Sequence, residues 1–182
     1  MTEGDASTEP NASACLAAID LGSNSFHMVV ARPSGGQLKL LDRLREMTQL
    51  GAGLDAQDML DEATRTRALA CIGRFGERLR SLGARQVRAV GTNTLRRAHN
   101  ADALLTSASL ELGHPVEVIS GREEARLIYR GVHHGMPPSG GHRLVVDIGG
   151  GSTECVLGID GQPLVLDSLF MGCLSYTRRF FG

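Results

Sequence analysis

The sequence predicts an α/β protein of two lobes set across a cleft, and three observations carry that expectation. A strand-turn-strand-turn-strand pattern occurs twice, over residues 16–44 and again over 144–170. Helical periodicity fills the chain between the copies. Polar, glycine-rich segments follow strands at the places where α/β folds hold their ligands.

Residues 1–14 are poor in large apolar side chains and are expected to form a disordered tail. A strand over 16–19 leads into a turn, Asp20 to Ser25, and two further strands follow over 28–31 and 37–44, the last with Leu38, Leu40 and Leu44 alternating with polar neighbours. A loop is expected over 47–58. From 60 to 82 the apolar residues Leu69, Ile72, Phe75, Leu79 and Leu82 step by three or four between arginines and glutamates, an amphipathic helix closed at Gly83. A short strand over 87–90 ends in Gly91-Thr92-Asn93-Thr94-Leu95-Arg96-Arg97, where either arginine could bind phosphate bidentately. A helix over 101–112, a strand over 116–119 and a helix over 123–132 complete the stretch between the copies. Its glutamates, Glu123 and Glu124, are either dipole partners of the helix start or groups at the cleft mouth. Residues 133–142, with three histidines, two prolines and three glycines, read as an exposed loop. The second copy ends where a new helix starts at Gly172, leaving Phe180 and Phe181 exposed and the second sheet with a bare face. The chain is therefore expected to be the first part of a longer protein: a complete first lobe over 15–127 and the start of a second over 128–182.

At 182 residues with 42% hydrophobic and 21% charged side chains, the chain has the composition of a globular protein with a buried core. Its formal net charge of −1 creates no basic field, and the lack of Trp, with 4% aromatics, argues against a nucleic-acid partner. No apolar run is long enough for a membrane span and the first residues do not resemble a signal peptide, so a cytoplasmic protein without integral membrane contact is expected. Cys15, Cys71, Cys155 and Cys173 have no paired spacing and read as buried free thiols.

The chemistry lies in the repeated turns. In LVVDIGGGSTECVLGI, Asp147 precedes Gly149, Gly150 and Gly151, whose backbone can approach an anion closely; Ser152 and Thr153 add hydroxyl donors and Glu154 a second acid. In AAIDLGSNSFHMVVA the matching residues are Asp20, Gly22 and Ser25, with Ser23 and Asn24 between them. Amide donors flanked by carboxylates suit a phosphate accompanied by a divalent metal. For either stretch alone a ligand-free glycine hairpin competes with that reading; the duplication favours the phosphate.

With both turns, GTNTLRRA and SGREEARLIYRGV in order, the sequence resembles the exopolyphosphatase and guanosine pentaphosphate phosphohydrolase family over about residues 15–182. The resemblance implies the actin, hexokinase and Hsp70-like (ribonuclease H-like) fold, with the first lobe complete and the second truncated. It implies that Glu124 activates the attacking water and Arg96 contacts the phosphoryl group. It also implies that Asp20, Gly22, Ser23, Asn24 and Ser25 form one phosphate loop and Gly149, Gly150, Gly151, Ser152 and Thr153 the other, with Asp147 and Glu154 placing Mg2+. The expected reaction is removal of terminal phosphate from inorganic polyphosphate, with guanosine pentaphosphate as the alternative substrate and a homodimer as the family's common state. A sugar-kinase-like protein or a non-catalytic phosphate-binding lobe would share the two turns.

Overall fold

The computed structural model describes residues 14–137 and 140–181, so the expected tail lies outside the described residues except for Ala14. Strands β1 (Cys15–Leu21), β2 (Phe26–Ser34) and β3 (Gln37–Glu46) pair antiparallel, while β4 (Ala84–Gly91) runs parallel to β1 and β5 (Val116–Val118) parallel to β4. The sheet order is β3-β2-β1-β4-β5. Period-two alternation puts Cys15, Ala17, Ile19 and Leu21 of β1 and Phe26, Met28 and Val30 of β2 into one core.

Helices α1 (Glu62–Leu82) and α3 (Ala101–Leu112) share that core and pack on each other. In α1 the buried residues Ala68, Cys71, Ile72, Phe75 and Leu79 recur at the helical period. The helix begins at Asp61, whose carboxylate accepts from the Thr64 amide at 2.7 Å and the Thr64 hydroxyl at 3.0 Å. It ends at Gly83, where φ is +64° and the amide donates to the Leu79 and Arg80 carbonyls. A short helix, α2 (Asn93–Arg97), follows β4.

The second layer is an antiparallel sheet of β6 (His142–Ile148), β7 (Thr153–Ile159) and β8 (Gln162–Leu169), with α4 (Gly121–Gly135) across one face. Its small core holds Ala125, Tyr129 and Val156. Leu144, Val146, Ile148 and Val165 point away from α4 and stay exposed, the bare face that the chain pattern predicts. Helix α5 (Cys173–Phe181) closes the described chain, with Phe180 and Phe181 exposed.

Three expectations are corrected. Leu38 and Leu40 are 66% and 58% exposed, because a bulge opposite Val30 and Ala31 shifts the register and leaves Leu41 and Leu44 against the core instead. His133 and His134 are not in a loop: α4, capped by Ser120, tolerates Gly131 and runs on to Gly135, with Pro137 just beyond. Among the cysteines, all free, Cys15 and Cys71 are buried, but Cys173 at the start of α5 is exposed. No helix of the described residues is long and apolar enough to cross a membrane.

Candidate functional site

Both repeated turns lie at the ends of strands that face one cleft. After β1 the chain turns through Gly22–Ser25 into β2, placing Asp20 opposite His27; after β6 it turns through Gly149–Ser152 into β7, placing Asp147 opposite Glu154. The second turn is closed by the Gly149 amide donating to the Ser152 carbonyl at 2.9 Å. The first is braced from behind, where the Gln49 and Gly51 amides donate to the Asn24 and Ser23 carbonyls and the Thr94 hydroxyl bonds that of Ser23 at 2.8 Å. Helix α5 fastens the second turn: the Cys173 and Leu174 amides donate to the carbonyls of Gly149 and Gly150. The turns approach so closely that a Cβ on Gly151 would lie 2.7 Å from Asn93 Oδ1 and 2.9 Å from Ser23 Oγ, so any side chain there would have to displace both.

Between them is a cavity of about 200 Å3 lined by Asp20, Glu124, Asp147 and Glu154 together with residues of both turns, His27 and Thr92. Glu154 is 2% exposed, and its Oε1 accepts from Ser168 Oγ at 2.7 Å. Asp147 and Glu154 are cross-strand partners, an arrangement of like charges that destabilises a bare sheet. Burial, then the charges of Asp147 and Glu154, raise the Asp20 pKa to about 6, although the side chain keeps an open edge on the cavity. Burial also raises Glu124 to about 7, assisted by Glu154 and Asp20 and opposed by Arg96. The apolar wall of Val90, Ile119, Leu127 and Ile128 beside Asp20 and Glu124 contributes to that loss of hydration.

Of the residues singled out in the sequence, Asp20, Gly22, Ser23, Ser25, Glu124, Asp147, Gly149, Gly150, Gly151, Ser152 and Glu154 line this cavity. Three stand back from it. Arg96 Nη1 donates to Glu124 Oε2 at 2.8 Å and to the Ile119 carbonyl at 2.9 Å, so its guanidinium is directed at Glu124. Thr153 spends its hydroxyl on the Met171 carbonyl, and Asn24 packs behind Gly150. His27, Thr92, Asn93 and Thr94 were not picked out as site residues. All four sit inside the two segments that were, and Ser25 Oγ bonds His27 Nε2 at 2.9 Å. Spacing alone gave no reason to separate them from their neighbours.

Among the described residues no group of three or more His, Cys, Asp or Glu is arranged to hold a metal by itself. Magnesium seldom asks for one, since it takes one or two carboxylates and completes its shell with water and substrate phosphate. The hard oxygen donors of Asp147 and Glu154, which form no ion pair among the described residues, fit that requirement.

Comparison with known proteins agrees with this architecture. The profile of the Ppx/GppA phosphatase family matches residues 29–182. A Haemophilus influenzae protein described as "Putative exopolyphosphatase" is 47% identical over 166 residues, which is 91% of this chain and 51% of that protein. The crystal structure of an exopolyphosphatase from Cytophaga hutchinsonii superposes with a TM-score of 0.87 at 30% identity, covering 92% of this chain and 54% of that one. The Aquifex aeolicus member of the Ppx/GppA family gives 0.79 at 31% identity, with 92% and 55% covered. The chain spans about half the length of these relatives. The fold is that of the first lobe of the actin/Hsp70-like class with part of the second.

Proposed function

Because the chain belongs to the Ppx/GppA phosphatase family, we propose that its cleft serves hydrolysis of the terminal phosphoanhydride bond of inorganic polyphosphate, with release of orthophosphate. The observation that carries this reading is the meeting of two glycine turns and four carboxylates in one cavity, with Glu124 held by Arg96 at its edge. Phosphoryl transfer needs positioning and charge neutralisation more than covalent help. The glycine turns and the Ser25 and Ser152 hydroxyls bind and orient the terminal phosphoryl oxygens. Glu124, with its pKa raised to about 7, takes a proton from the attacking water near neutral pH. Arg96 fixes the orientation of that carboxylate, leaving one oxygen for the water. Asp147 and Glu154 would hold Mg2+, which when bound supplies the positive charge that four carboxylates and a polyanion together require.

Guanosine pentaphosphate ends in the same linkage, so both substrates enter the test. Orthophosphate release is measured from long-chain polyphosphate and from guanosine pentaphosphate, with magnesium and with EDTA, for this chain, its Glu124→Gln variant and the Haemophilus influenzae relative. Release from polyphosphate that needs magnesium and falls by about a hundredfold or more in Glu124→Gln is expected. Unchanged hydrolysis by the variant would sink the base role. Release by the relative alone would show that these 182 residues do not suffice.

A further inference from the structure

Asp147, Glu154 and Ser168 form one row across the second sheet, for Glu154 of β7 is the register partner of Asp147 on β6 and of Ser168 on β8. The first two are acids, and the third is a neutral donor. Ser168 Oγ donates to Glu154 Oε1 at 2.7 Å, while Glu154 itself is 2% exposed. Glu154 lines the cavity and Ser168 does not; Ser168 lines a separate hollow of about 170 Å3 together with Arg96. From that same hollow Arg96 bonds Oε2 of Glu124 at 2.8 Å. Each of these two carboxylates therefore has one oxygen taken from outside the cavity. Gly121, the first residue of α4, permits the arrangement. A Cβ there would lie 2.5 Å from both Cβ and Oγ of Ser168. Rotating the hydroxyl aside would break its bond to Glu154, and the Ser168 Cβ could move only with its strand.

We propose that Ser168 is a positioning residue for the metal site: its hydroxyl, kept in place by Gly121, fixes the Glu154 carboxylate so that Oε2 remains for the divalent ion that Asp147 shares. This rests on the reading of Asp147 and Glu154 as magnesium ligands and names the group that orients one of them. A carboxylate free to turn loses that freedom when it binds an ion, and the loss weakens binding. One already held by a hydrogen bond has little left to lose, which is why partners standing behind metal ligands govern affinity. The bond is also charge-assisted, so Ser168 supports the ionised form that a metal requires, next to a second acid that opposes it.

The test is titration of this chain with Mn2+, which takes the same oxygen ligands as magnesium and whose free form is counted by electron paramagnetic resonance. The parent is compared with Ser168→Ala, Gly121→Ala, Glu154→Ala and the Glu154→Ala/Ser168→Ala pair. Ser168 is half-buried, and alanine there removes only the hydroxyl. Ser168→Ala and Gly121→Ala are each expected to weaken Mn2+ about tenfold. In the Glu154→Ala background, loss of the Ser168 hydroxyl should change nothing further, because the carboxylate it holds is gone. Mn2+ bound by Ser168→Ala as tightly as by the parent overturns the positioning role, as does an equal loss in both backgrounds, and either result leaves Asp147 and Glu154 as ligands. Failure of the parent to bind Mn2+ overturns the metal reading itself, and the role of Ser168 with it.

Discussion

Glu124 is under opposed influences: burial lifts its pKa, the Arg96 hydrogen bond lowers it, and Glu154 and Asp20 lift it again, to about 7 against an ordinary 4.5. Asp20 behaves alike, rising to about 6 from 3.8. The sign of the consequence follows from proton counting. Between their ordinary and raised values these acids hold protons in the folded chain that the unfolded chain releases, so stability falls as pH rises through that window and levels off above it. Asp42, Glu46 and Glu123 act in the opposite sense, because hydrogen bonds from Arg78, Arg74 and Arg126 hold them below the ordinary range; what they contribute is lost only in more acid solution. The Glu124 share is isolated by comparing thermal unfolding of the parent and Glu124→Gln. The midpoints should coincide below about pH 4.5, and the variant should become progressively the more stable as pH rises from there to about 7, keeping that margin above it. A gap that does not change with pH would show that burial does not govern this carboxyl.

Helix α1 carries two interior glycines, and helix propensity alone treats them the same: replacing either by alanine should add about 0.5–1 kcal/mol. Packing separates them. A Cβ at Gly73 would meet only the Glu111 carboxylate, at 3.5 Å, an ordinary contact. At Gly76 it would lie 2.4 Å from the Glu111 carbonyl and 3.1 Å from Leu112 Cα, backbone atoms of α3 that cannot step aside alone. Gly73→Ala is therefore expected to stabilise by roughly 0.5–1 kcal/mol and Gly76→Ala to destabilise by about 1–3 kcal/mol, measured by denaturant unfolding. Equal effects would mean that α1 and α3 do not touch at Gly76.

Across the whole molecule the two layers are unequally built. The first sheet buries a continuous core from β1 and β2 through α1 and α3, whereas the second has Ala125, Tyr129 and Val156 under α4 and an apolar face in water. Opening free energies follow buried apolar contact, so amides of β6, β7 and β8 should exchange hydrogen faster than those of β1 and β4. Tyr129, 1% exposed and seated against Gly158, holds that small core. Tyr129→Ala should remove about 3–5 kcal/mol and accelerate exchange in the second sheet while β1 and β4 keep their protection. Loss of protection in both layers together would show that they unfold as one unit.

What the residues settle by themselves is local. The paired DxG turns, the helical stripe ending at Gly83 and the span 101–112 were readable because periodicity, φ-permissive glycine and short-range capping act within a few residues. The register of β3, the length of α4 and the exposure of Cys173 were not, since each depends on what lies opposite in space. The candidate site divides along the same line. Asp20, Glu124, Asp147 and Glu154 announce themselves as acids beside turns or at a helix start. That Arg96 is aimed at Glu124, and that both glycine turns and four carboxylates line one cavity, appear only once the lobes are set together. Sequence decides which groups are available and how each short segment bends. Tertiary structure decides which groups face one another, and with that their hydration, their charge and their chemistry, because those are set by neighbours far away along the chain.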